Sequence, residues 1–74
     1  MNRYVVAYSY PNDSEIFQQE IHSTSKRDAA LKYLSEFQDI VFEENQLLDM
    51  EDFDLLAEHC WDYLEVSISV LQID

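Results

Sequence analysis

Apolar and polar positions alternate along the first stretch of the chain. Arg3-Tyr4-Val5-Val6-Ala7-Tyr8-Ser9-Tyr10 is rich in β-branched and aromatic residues, and Tyr4, Val6, Tyr8 and Tyr10 share one face at the two-residue period of a strand. Pro11-Asn12-Asp13-Ser14 follows as a turn: Pro presets φ, and the Asn and Asp side chains bond their own backbone. A second strand runs from about Glu15 to His22, with Phe17 and Ile21 on one face and Ile16 on the other. The opening therefore predicts an antiparallel hairpin.

The period then lengthens. Ser23-Thr24-Ser25 supplies candidate N-caps, and Ser25 with Asp28 resembles a capping box with Asp in place of Glu. A helix is expected from about Lys26 to Gln38, with Ala30, Leu31, Leu34 and Phe37 as its apolar stripe. Lys26 and Arg27 in its first turn oppose the helix dipole unless a carboxylate lies nearby. Residues 39–48 show no single period: Ile40-Val41-Phe42 suits a short strand, Leu47-Leu48 suits a loop plugging the core, and the segment also suits an extension of the helix. Asp49 suits the N-cap of a second helix, from about Met50 to Leu64. Met50, Phe53, Leu56, Ala57, Cys60, Trp61 and Leu64 would share its inward face. In the last segment Val66, Ile68 and Val70 alternate with serines, the pattern of a half-buried strand. The order is strand, strand, helix, helix, strand (ββααβ). It predicts an α+β domain with a small, mainly antiparallel three-stranded sheet and two helices on one face.

Composition narrows the function. Seventy-four residues make a single domain, 1–74, with a thin core. Glycine is absent, which removes Gly-dependent phosphate cradles and the EF-hand turn; the calcium-like run Asp49-Met50-Glu51-Asp52-Phe53-Asp54 lacks the glycine its loop would need. Cys60 is the single cysteine, so no intrachain disulfide forms, and the chain opens without a signal-peptide pattern. A reducing cytoplasm is the expected compartment.

Charge changes the picture most. The formal net charge is −12, which opposes direct binding to nucleic acid or an anionic membrane. Residues 1–32 hold all four basic side chains and four acidic ones. Residues 33–74 hold twelve acidic side chains and no basic one. On the expected second helix Glu51, Asp54, Glu58, Asp62 and Glu65 fall on one arc, and Glu43 and Glu44 would extend it. Like charges three or four apart destabilise a helix by about 0.2–0.5 kcal/mol per pair. A regular row of them imitates a nucleic-acid backbone and would meet Lys and Arg side chains that otherwise hold phosphates. A solvated face serving only solubility is the competing account. Leu55, apolar amid the acidic arc, favours binding.

Catalytic candidates are few. His59 and Cys60 are adjacent and point apart on a helix, so they make no nucleophile–base pair. Cys60 is expected to be a buried structural thiol, and His59 a surface histidine near Asp62; those two alone make a poor metal site. Neither a catalytic residue nor a cofactor or metal site is predicted. Tyr4, Tyr8 and Tyr10 suit core or interface packing better than base stacking, since base-stacking sheets also carry positive charge.

In size, acidity and its hairpin-then-helix opening (Tyr4–Tyr10, Glu15–His22 and Ser23-Thr24-Ser25-Lys26-Arg27-Asp28-Ala29-Ala30), the chain resembles small phage-encoded inhibitors of the anti-CRISPR and antirestriction DNA-mimic type. The resemblance implies a non-enzymatic protein that occupies a basic nucleic-acid channel or blocks an assembly surface of an effector complex. It assigns no residue position by position. The expected partner is a basic protein surface, met by Glu43, Glu44, Glu51, Asp54, Leu55, Glu58, Asp62 and Glu65. The alternative is a structural or regulatory interaction module, with a homodimer left open.

Overall fold

The computed structural model describes residues 1–74. Strand β1 spans Asn2–Ser9 and β2 spans Ile16–Ser23, paired antiparallel from Asn2↔Ser23 to Ser9↔Ile16. Pro11 and Asn12 hold the centre of the connecting turn, which the Asp13 N–H closes onto the Tyr10 carbonyl at 3.1 Å. Asp13 Oδ1 then accepts the Glu15 N–H at 3.0 Å, the side-chain bond that steers the chain into β2. Strand β3, Ser67–Gln72, adds antiparallel to the other edge of β1, giving the order β2-β1-β3. The central strand thus carries the most completely buried residues of the sheet, Tyr4, Val6 and Tyr8.

Helix α1, Lys26–Phe37, begins where Ser25 Oγ accepts the Asp28 N–H at 3.1 Å. The box is not reciprocal: the Asp28 carboxylate takes the Thr24 hydroxyl at 2.8 Å instead. Ala29, Ala30, Tyr33 and Leu34 form its buried stripe, small residues letting the helix lie close to the sheet. Phe37, expected in that stripe, stays exposed, with its ring stacked on Tyr33 at 5.4 Å. The helix ends at Asp39, whose φ of 59° turns the chain so that the Ile40 N–H reaches the Leu34 carbonyl at 2.9 Å.

Three helices are present where two were expected. The ambiguous segment is no strand and does not continue α1: Ile40 and Phe42 pack on the core from irregular backbone, and Glu44–Leu48 forms a separate short helix, α2. The Asp49 and Met50 N–H groups close its end onto the carbonyls of Gln46 and Leu47. Asp49 therefore terminates α2 and does not cap the next helix. That cap is Asp52, whose Oδ1 accepts the Leu55 N–H at 2.9 Å, and helix α3 spans Phe53–His59. Met50 and Glu51 precede it, Met50 as a buried plug.

From Cys60 to Leu64 the helix widens into a π turn. It ends at Glu65, at φ 55°, with the Val66 N–H bonded to the Cys60 carbonyl at 3.3 Å. Leu56 and Cys60 remain buried, but Trp61 and Leu64, both expected in the core, are 54 % and 36 % exposed. A single apolar core joins α1, α3, the π turn and one face of the sheet. The other sheet face, with Val5, Ala7, Ser9, Ser67, Ser69 and Leu71, is uncovered.

Candidate functional site

The acidic half is defined by what its charges lack. The ion pairs of the molecule, Arg3–Glu20 at 3.1 Å, His22–Glu20 at 2.9 Å and Arg27–Asp28 at 3.5 Å, all lie within residues 1–32. Arg3 and His22 draw the exposed Glu20 carboxyl below its ordinary range, chiefly through the Arg3 hydrogen bond, and Glu20 in turn raises the Arg3 guanidinium. Arg27 donates to the carbonyls of Met50 and Leu47, a cation at the C-terminal end of α2 where the helix dipole favours it. Lys32 donates to the His22 carbonyl at 2.9 Å. The cationic first turn of α1 thus has a structural use that its own helix does not reveal.

Of the twelve acidic side chains beyond residue 32, Asp52 caps α3 and Asp74 accepts the Arg3 N–H at 2.7 Å. Glu43 belongs to the capping box with Gln46 that opens α2, and the other nine form no ion pair. All eight residues expected at the partner surface are exposed. They do not form one row. Glu51 lies in the loop before α3, because the helix starts at Asp52. Glu65 sits in the left-handed residue that ends the π turn. Glu43 and Glu44 open α2. The row that remains is Asp54, Glu58 and Asp62, spaced at i, i+4, i+8 on α3 and the π turn.

Apolar groups flank that row. One position on, Leu55, His59 and Tyr63 make a parallel line, and its continuity through the π turn is visible in the His59 and Tyr63 rings, 4.6 Å apart. His59 is half-buried, with Phe42 edge-on to it at 5.4 Å. It is an aromatic packing residue where a solvated one was expected. Trp61 lies one position before Asp62, on the opposite flank. Only the Leu55 anchor was foreseen; Trp61 was expected on the inward face, although an ideal helix already turns it about 140° from Leu56.

Chemically the face can attract cations and cover apolar surface. Burial pushes the Cys60 thiol up to about 11, so at neutral pH it is a protonated core group. Tyr8 is likewise raised by burial and by its bond to Tyr10. Two hollows of the surface lie apart from the acidic face. One is a groove of about 410 Å³ between α1 and the 40–42 segment, including Leu31, Ile40, Val41 and Phe42. The other is a shallow depression at the hairpin tip lined by Tyr10, Ile16, Phe17, Tyr33 and Phe37. Tyr10 and Phe17, on the sheet face of Tyr8 and Ile21, are exposed at this depression. No helix is long and apolar enough to cross a membrane. No protein-family model, curated protein or solved structure matches the chain.

Proposed function

We propose that the chain is a non-enzymatic acidic binding protein that occupies a basic groove of a nucleic-acid-binding protein or complex, in the manner of anti-CRISPR-type DNA mimics. The observation that carries this reading is the row Asp54, Glu58 and Asp62, with no cation of the protein paired to it. A fold gains nothing from such a row: each neighbouring pair costs about 0.2–0.5 kcal/mol, and a single lysine would relieve it. The same row suits lysines and arginines that otherwise grip phosphates, and its field speeds encounter at low salt.

The test is competitive elution. Immobilised protein is loaded with cell lysate at low salt, then washed with duplex DNA or with an uncharged polymer. Release of bound nucleic-acid-binding proteins by DNA and by moderate salt, but not by the polymer, is the expected result. Retention of those proteins through the DNA wash, or failure to bind any, refutes mimicry.

A second reading rests on the uncovered sheet face, where Leu71 is 66 % exposed beside Val5 and the serines of β3. It makes the protein an interaction module that pairs with itself through the sheet, its acidity serving solubility. Light scattering behind size exclusion tests it: a monomer at every working concentration removes it.

A further inference from the structure

The acidic row has apolar neighbours on both sides. Leu55 is 42 %, Trp61 54 % and Tyr63 75 % exposed, all on one short stretch of α3 and the π turn. Single exposed apolar residues are ordinary. A tryptophan and a tyrosine flanking carboxylates have instead the composition of interface hot spots. Trp61 lies at the start of the π turn, and such turns are rare and concentrate at functional sites.

Charge decides what can cover this face. Nucleic acid would be repelled by it, and a second copy would bring the same unpaired carboxylates. A simple cation would use Asp54, Glu58 and Asp62 and leave the aromatic groups in water. Resting on the charge-driven reading above, we infer that this face docks a basic amphipathic polypeptide segment. Its Lys or Arg side chains meet Asp54, Glu58 and Asp62. Its apolar side chains cover Trp61 on one flank and Leu55 and Tyr63 on the other. The charges then govern the rate of encounter, and the apolar flanks govern how long the complex lasts.

Trp61 is the only tryptophan, so its fluorescence reports on this face alone. Two synthetic peptides of equal length and charge serve as probes: an amphipathic Lys/Leu helix, and the same peptide with Ser for Leu. At low salt the Lys/Leu peptide should bind about tenfold more tightly or better, a difference of about 1.4 kcal/mol. It should also move Trp61 emission to the blue. Trp61→Ala should remove that advantage, read by peptide anisotropy, and Glu58→Lys with Asp62→Lys should weaken both peptides. If Trp61→Ala does not fold, protection of native Trp61 from acrylamide by the Lys/Leu peptide alone gives the same answer. Equal affinity for the two peptides, or tight binding with unchanged Trp61 emission and quenching, overturns the docking inference while the charge reading stands. Failure of both peptides to bind at low salt overturns both.

Discussion

In residues 1–32, three of the four cations and three of the four acidic groups are bound to one another, to the backbone or to a hydroxyl; beyond residue 32, nine of the twelve acidic groups have no such partner. Both regions contribute to one core. They differ in what their charges are for. In the first, charge is part of the architecture: Arg27 crosses from α1 to hold the end of α2, and Arg3 joins two strands through Glu20. In the second, charge stands on helix and turn backbone and is left without ion pairs. Net charge alone would not separate these cases; the location of the ion pairs does.

The contrast predicts opposite responses to mutation. The largest stability effect should come from Arg27→Ala, which strips a charged donor from the carbonyls of Leu47 and Met50. A loss of about 1.5–3 kcal/mol in urea unfolding is expected, a large share of what a small domain has. An unchanged midpoint would show that the cations of the first region are not structural. Glu58→Lys with Asp62→Lys should do the reverse and raise stability by about 0.5–1 kcal/mol, since the like-charge pair 54/58 becomes an opposite one while 58/62 only exchanges one repulsion for another. The same double variant should lose partner binding. Gained stability with full binding would leave solubility as the account of the row.

Glu65→Gly should stabilise by about 1 kcal/mol in thermal unfolding, because a residue with a Cβ occupies the left-handed region at φ 55°. A lower midpoint would mean that the Glu65 side chain makes a contact worth more than the strain. The smallest effects should appear on titration. Glu20 is held below its ordinary 4.5 when folded, so its pairing stabilises the protein above that pH. The contribution fades as pH falls through the depressed folded value, and Glu20→Gln should flatten that acid limb slightly. Cys60 works at the other end. Its folded value of about 11 stands above its ordinary 9.0, so its contribution is complete below 9 and is lost as pH rises through 11. Native Cys60 should resist alkylation until the chain unfolds; rapid alkylation of folded protein would contradict its burial.

Much of the fold was legible because much of it is local. Tyr4, Val6 and Tyr8 on β1, and Val66, Ile68 and Val70 at β3, alternate as buried strand residues do, and Ser25 caps α1 by a bond three residues long. The three helices were not legible as three. Asp49 and Asp52 are both good caps in isolation, and the choice was made by α2, whose last carbonyls take the Asp49 and Met50 N–H groups. The candidate site divides the same way. Asp54, Leu55, Glu58 and Asp62 kept their places on a helical face, whereas Glu51 and Glu65 left it with the shifted helix ends.

What the amino-acid order determined by itself is the α+β pattern, the hairpin, the first helix and the segregation of excess acid into the second half. These rest on spacing along the chain, where each residue's neighbours are its sequence neighbours. What only the tertiary structure decided is the break before α3, the π turn, the exposure of Trp61 and the use of Arg27. Each depends on groups distant in the chain meeting in space: Arg27 finds carbonyls twenty and twenty-three residues away, and His59 finds Phe42. A helical period extrapolated from one end cannot register such contacts. Packing keeps Cys60 and Val66 inside across the widened turn and leaves Trp61 exposed.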